Sequence, residues 1–455
     1  MKRSWRELWH AFRAPRLEEE RTAAERVWPT LPDAVRTDDQ TVGRASAGCA
    51  ATYGVMERCD FGCTACYLAR GSNAAKPQPF ETTKAQLDAI RAHLGPGGNV
   101  QITAGEVTLL PVEELRRIVA YAHSIGLSPM VMSHGQRFLR EPDYLEDLVA
   151  RGGLDRVGIH IDTTQRGRDG GDPQCEAELD PVRDAAAQLL RDTRERTGRR
   201  LFGAHLVTLN RDNQDDAEHI VRWAVENADA FRMVSFQPVA EVGRTRDRSP
   251  KNRRDAIWSS IEKGLGRKAN DHPWLFGHPQ CNQFAFFLVV RNGERRDLVE
   301  IVRRGSRFDA WFFRRILHGG FAGYTADAMP RSEANARFLG RFLRHPQYWA
   351  TLPLFLLVRA ATDWRVTLRS LGSLLRLRRP RIHSFSVVVH HFMDAAELET
   401  DEARERLEAC VFRLPVDGEM VPMCSFNGTD QRAAHLKTLV PQPEPEPETC
   451  APSSS

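Results

Sequence analysis

Residues 59–66 read CDFGCTAC, and the thiols of Cys59, Cys63 and Cys66 govern how the surrounding sequence is read. Three thiols at this spacing can hold three irons of a [4Fe–4S] cube and leave the fourth iron open to a small molecule. Two plainer readings stand beside this one. Offsets of four and three also align side chains along one helix face, as for buried apolar cysteines. Cys63 and Cys66 also form a C-x-x-C pair, which suits zinc or thiol redox work. Structural zinc needs a fourth close ligand, and the chain has no second C-x-x-C. A thioredoxin-like pair has no use for Cys59.

Outward from this run, residues 52–240 alternate short apolar runs with amphipathic stretches. Strands are expected at Thr52–Met56, Val100–Thr103, Met130–Ser133, Val157–Asp162, Ala204–Leu209 and Met233–Gln237. Helical patterns fall near 83–94, 112–125, 142–151, 180–196 and 215–228. Strands separated by single helices imply parallel β-α-β units with right-handed crossovers. In such folds chemistry gathers where the strands finish. Here the strand ends are polar or glycine-containing: Gly105-Glu106, Ser133-His134-Gly135, His160 to Thr163, Asn210, and Pro238 followed by Gly243-Arg244. Together with the cysteine loop, such ends on one rim imply a ligand.

The chain has 455 residues, enough for two domains or one domain with large extensions. Its net charge of +4 says little about nucleic acid. Nine cysteines, three of them in a tight cluster, argue against a secreted disulfide framework and for a reducing compartment. The opening MKRSWRELWH carries charges where a signal peptide needs its apolar region. The longest apolar run, Tyr348 to Val358, is too short to span a bilayer. A soluble, cytoplasmic protein is expected, with a peripheral membrane contact in view.

The cysteine loop and the strand ends resemble the radical S-adenosylmethionine (radical SAM) superfamily. That resemblance covers roughly residues 50–245 and implies a partial (β/α)6 barrel, an α/β fold, followed by a C-terminal α+β extension. The expected organisation is an N-terminal extension over 1–48, the core barrel over 49–245, an extension over 246–440 and a disordered tail over 441–455. The implied cofactors are a [4Fe–4S] cluster held by Cys59, Cys63 and Cys66, and S-adenosylmethionine (SAM). The family often has an aromatic residue before the third cysteine; here Ala65 stands there and Tyr67 follows Cys66. Gly105 and Glu106 match the turn that binds the methionine amino group. On its own, Glu106 also reads as an acid favoured at a helix N-terminus. Ser133, Asp162, Asn210 and Pro238 match positions that contact the SAM ribose, carboxylate or adenine, although each alone reads equally as a turn residue. Arg244 is placed to approach the SAM carboxylate or an acidic substrate, or else to be a solvated arginine. The implied reaction is one-electron cleavage of SAM, with hydrogen abstraction by the resulting 5′-deoxyadenosyl radical.

Beyond 240 the alternation is lost. Residues 311–382 are helical in pattern and rich in Arg, Leu, Phe and Trp. Arg365, Arg369, Arg376, Arg378, Arg379 and Arg381 come with no acid among them, and Leu368, Leu371, Leu374 and Leu375 recur at helical spacing. Such a stretch suits an anionic membrane surface, or helices packed on the barrel with solvated arginines. A β-like run, Ser384–Val389, follows. Widely spaced cysteines in such extensions often bind an auxiliary iron–sulfur cluster in this superfamily, which makes Cys281, Cys410 and Cys424 candidates; the alternative is three unrelated buried thiols. Cys450 lies in the tail. The runs around His391 to Asp394, Asp417-Gly418 and Pro422 to Asn427 resemble a subgroup with tetraether lipid synthases and a pterin-modifying methyltransferase.

The leading expectation is a radical SAM enzyme acting on an apolar, lipid-type substrate, with electrons from a reductant such as flavodoxin or ferredoxin. The alternatives are a radical SAM enzyme modifying a peptide, pterin or other soluble small molecule, and a non-enzymatic iron–sulfur electron carrier. Nucleic acid ranks last as a partner, because no RNA-binding module accompanies the arginines. No catalytic residue beyond the cofactor-binding set is assigned.

Overall fold

The computed structural model describes residues 4–13, 18–247, 254–293, 295–318, 331–375 and 380–440. Six strands form its centre: β1 (Cys49–Ala51), β2 (Asn99–Ile102), β3 (Ser128–Ser133), β4 (Arg156–His160), β5 (Phe202–Leu209) and β6 (Phe231–Pro238). They pair in sequence order, all parallel, and the sheet curls into a half-barrel. Helices join them as the periodicity implied. The helix Phe80–Leu94 follows Pro79, buries Thr83, Leu87, Ile90 and Leu94 on one stripe, and stops at Gly95. Strand β5 is buried along almost its whole length, as expected of a parallel strand covered on both faces.

The first strand lies earlier than expected. Pairing runs from Cys49 to Ala51, and residues 52–58 leave the sheet. The Thr52 hydroxyl turns to the Thr103 carbonyl at 2.9 Å, and Gly54 takes φ +71°. The described part of the expected N-terminal extension packs on the rest of the molecule. Helices span Trp5–Arg13 and Glu18–Val27, and Leu31, Val35 and Val42 are buried against Ala409.

The C-terminal part extends the same sheet at both edges. Strand β7 (Asn282–Asn292), β8 (Arg295–Glu300) and β9 (Arg381–His390) build outward from β6 in the order β6-β9-β7-β8. Strand β10 (Phe412–Val416) lies parallel to β1, and β11 (Glu419–Pro422) closes that edge antiparallel. Residues 391–411 therefore carry the chain from one end of the central six strands to the other. Between β8 and β9 lie the helices Arg307–His318, Arg331–Arg344, Gln347–Thr362 and Trp364–Leu375. No helix among the described residues is long and apolar enough to cross a membrane. Arg376, Arg378, Arg379, Cys450 and the expected tail 441–455 lie outside the described residues.

Candidate active site

The cysteine loop is held against the ends of β2 and β4 by backbone bonds. Gly105 N–H donates to the Met56 carbonyl and Glu106 N–H to the Arg58 carbonyl, both at 2.8 Å. A Cβ on Gly105 would stand 2.2 Å from the Arg58 oxygen, so only glycine permits this approach. Gly62 and Thr64 donate to the carbonyls of Arg166 and Thr164 at 2.9 and 2.8 Å. Gly243, at φ +58°, passes so close to Tyr67 that a Cβ would meet its carbonyl at 2.4 Å.

Cys59, Cys63 and Cys66 face one cavity of about 220 Å³, shared with Gly105, Glu106, Ser133 and Pro238. Burial pushes the Cys59 thiol up to about 12. It raises Cys63 as well, with the neighbouring Cys66 adding to the effect. Thiols this buried give up their protons when a cation takes their place. Soft sulfur donors on one loop, beside a backbone cradle a Cβ would fill, fit an iron–sulfur cluster.

Glu106 is buried and its carboxylate is already oriented. One oxygen accepts from the Ser133 hydroxyl (2.8 Å), the Thr108 hydroxyl (2.5 Å) and Thr108 N–H (3.1 Å). The other accepts from His134 N–H at 2.9 Å. It caps the short helix Val107–Leu109 and lines the cavity.

Three of the expected SAM-binding residues do not line the cavity. Asp162 is fully buried behind it and accepts from His160 Nε2 (2.5 Å), Thr208 N–H (2.7 Å) and Thr164. Burial alone would raise its carboxyl, but the His160 imidazole and these donors hold it well below the usual range. His160 lines the cavity in its place. Asn210 is a turn residue: its oxygen accepts from the N–H groups of Asp212 and Asn213, and its amide donates to Asp247 at 2.8 Å. Arg244 is half-buried and lies outside the cavity lining. Its Nε donates to Cys66 Sγ at 3.2 Å and its Nη2 to the Phe61 carbonyl at 3.1 Å, behind the loop.

Of the outlying thiols, Cys424 lines the cavity, whereas Cys281 and Cys410 do not. The three nevertheless lie close enough for Cys410 and Cys281 both to raise Cys424 electrostatically, after burial, which pushes it up to about 12.

Several site residues had little or no signal in the sequence. His134 Nδ1 accepts from Gln136 N–H, so Nε2 carries the proton and donates to Asp60 at 2.8 Å. The same imidazole stacks on Phe61, with ring centroids 3.8 Å apart. Arg168 donates to the carbonyls of His134 and His160. Arg432 binds both oxygens of buried Glu57 at 2.9 and 3.0 Å and lies 4.8 Å from the Tyr67 ring. That pair ties the C-terminal helix Gln431–Leu439 to the cysteine loop. Glu57 and Arg432 stand 375 residues apart, so spacing could not have paired them. His134 at least sits in the strand-end run that pointed to the rim.

Residues 53–224 match the family model of the Radical SAM superfamily. Those residues carry a radical SAM domain. The chain is 20% identical to the 7,8-dihydro-6-hydroxymethylpterin dimethyltransferase of Methanocaldococcus jannaschii, over 87% of this chain and 79% of the relative. Among solved structures it is similar to Streptococcus suis SuiB bound to S-adenosylmethionine, with 15% identity, TM-score 0.35, and 49% and 48% of the two chains covered. Native anSMEcpe with bound AdoMet gives 13%, 0.35, and 48% and 58%. The chain thus spans about half the length of these two solved proteins. That family implies a [4Fe–4S] cluster and SAM, and the thiols of Cys59, Cys63 and Cys66 lining the cavity fit such a cluster.

Proposed function

We propose that this radical SAM enzyme abstracts hydrogen from an apolar, lipid-type substrate. One observation carries the reading: the cavity that holds the three thiols is also lined by Phe392, Met393, Phe412 and Met423, all from the C-terminal part of the chain. When bound, the cluster and SAM supply reductive cleavage to methionine and a 5′-deoxyadenosyl radical. The chain's own part is orientation and exclusion of water. Glu106, preset by Ser133 and Thr108, accepts the SAM ammonium. Gly105 keeps the loop against that carboxylate, and Pro238 walls the adenosyl side. Asp162 acts through His160, and Arg244 balances charge on Cys66. The apolar lining keeps water from the reacting carbon. We place the protein in a reducing cytoplasm, with electrons from a flavodoxin- or ferredoxin-type donor.

A second reading, modification of a pterin or similar soluble compound, is favoured by the M. jannaschii relative, whose match extends through most of this chain. Amides of Gln237 and Asn427 in the lining could meet such a ring. We also propose that Cys281, Cys410 and Cys424 hold a second iron–sulfur cluster beside the cavity, supported by their electrostatic proximity.

The test is anaerobic reconstitution, dithionite and SAM, with 5′-deoxyadenosine as readout and either polar lipid extract or reduced pterins as substrate. Turnover-dependent product from lipid, absent with pterins, supports the leading reading; the reverse overturns it. Iron that persists in the Cys59→Ala/Cys63→Ala/Cys66→Ala protein, and is lost on adding Cys424→Ala, supports the second cluster. An iron-free triple variant argues against it.

A further inference from the structure

Among the described residues, every exposed large hydrophobic side chain except Leu109 belongs to Trp5, Trp9 or the stretch 311–382. The helix Trp364–Leu375 shows how this arises. Its apolar residues Trp364, Leu368, Leu371 and Leu375 recur at i, i+4, i+7 and i+11, one stripe of a helix. An ordinary surface helix turns such a stripe to the core. Here all four are exposed, Leu375 at 86%, while the half-buried side holds Val366 with Thr367, Arg369 and Ser370. Arg369 fixes that orientation through a paired contact with Asp297 of β8, at 3.0 and 2.6 Å. The preceding helix, Gln347–Thr362, also exposes Leu356 and Leu357 while burying Tyr348 and Phe355. The N-terminal helix Trp5–Arg13 packs on Arg331–Arg344 and adds Trp5, 81% exposed.

The charge written into this stretch of sequence is mostly positive. From 331 to 381 the sequence holds eleven arginines, no lysine and two acids. The acids of these helices whose side chains are described, Asp309 and Asp363, are both ion-paired with Arg359, at 3.0 and 2.9 Å. Three exposed tryptophans each carry a guanidinium near the ring: Arg13 on Trp9 at 5.9 Å, Arg315 on Trp311 at 5.3 Å and Arg365 on Trp364 at 5.4 Å. Tryptophan favours the boundary between headgroups and acyl chains, and arginine meets phosphate there. A second copy of the chain would bring like charges together. A soluble protein partner gives no reason for leucines flanked by arginine–tryptophan pairs.

We infer that these helices form a docking surface for an anionic lipid bilayer, with the leucine stripe entering the acyl boundary and the arginines on lipid phosphates. The surface is distinct from the cavity and does not depend on the substrate being a lipid.

The experiment is co-sedimentation of the full-length protein with phosphatidylcholine vesicles, with and without phosphatidylglycerol, at low and high salt. The wild type should bind the anionic vesicles, more weakly at high salt. Leu368→Gln/Leu371→Gln/Leu375→Gln should bind at least tenfold more weakly, with unchanged melting temperature and 5′-deoxyadenosine release. Brominated acyl chains should quench wild-type tryptophan fluorescence, a readout independent of how the variant folds. No binding to anionic vesicles, equal binding by the variant, absent quenching, or a dimer in light scattering that the variant dissociates would each overturn the inference. Because SAM cleavage is read on the same samples, failure here and failure of the catalytic reading are separable.

Discussion

At the rim of the half-barrel Glu106, His134, Asp162 and Arg168 are buried, and each carries hydrogen bonds to strand ends or to the cysteine loop. Along residues 347–375 the reverse holds: Leu356, Leu357, Leu368 and Leu375 stand in solvent while Arg359 is buried against Asp309. Burying polar groups is costly unless they are satisfied, and exposing a contiguous apolar face is costly unless something covers it. The rim compensates its cost internally, with a network that orients the cofactor loop. On the lipid-docking inference, the helical insertion would leave its compensation to a bilayer outside the chain. The two regions depart from ordinary polarity in opposite directions.

Four experiments would break or sharpen that division. The largest effect is expected at the loop: Gly105→Ala drives a methyl group into the Arg58 carbonyl, and iron content and 5′-deoxyadenosine release should both collapse. Retention of iron and activity would mean that the tight approach is dispensable. Next, Arg432→Ala leaves Glu57 buried without its counterion and should cost about 3–5 kcal/mol in chemical denaturation. Adding Glu57→Gln should recover part of that loss; no recovery would mean that the two act independently.

The third test compares one residue type in both regions. Leu87→Ala, in the core, should cost about 2–5 kcal/mol, whereas Leu371→Ala should stay within about 0.5 kcal/mol. Equal losses would show that the leucine stripe packs within the molecule. The smallest effect concerns acid. The carboxyl of Asp229 is lowered to about 2: burial opposes this, and Arg191 and Arg194 outweigh burial. A carboxyl depressed on folding stabilises the fold above its unfolded value, and that contribution fades as pH falls towards about 2. Asp229→Asn should flatten the acid limb of the stability curve slightly; an unchanged limb removes Asp229 from the account.

Much of the centre could be read from the chain because its signals are local. Strands two to six fell within two residues of expectation, since each apolar run is bounded by its own helix and turn. The first strand was misplaced because Cys49–Ala51 is too short to show a period and Thr52–Met56 looks equally apolar. Among site residues, the cysteines, Gly105, Glu106, Ser133 and Pro238 meet in the cavity as adjacent strand ends in a parallel sheet should. Asp162, Asn210 and Arg244 were placed one step too near the ligand. A polar residue at a strand end can face the cavity or support its neighbour, and spacing does not distinguish the two.

By itself the sequence determined the three-thiol loop, the parallel β/α alternation and the basic, leucine-rich stretch, because each is written in the offsets of neighbouring residues. Only the tertiary structure decided that β10 and β9 flank the central strands and that Phe392, Met423 and Cys424 line the same cavity as the cysteine loop. It alone joined Arg432 to Glu57 and turned the leucines of Trp364–Leu375 outward. These are contacts between segments far apart in the chain. Their energy depends on which surfaces meet in space, and no local period records that.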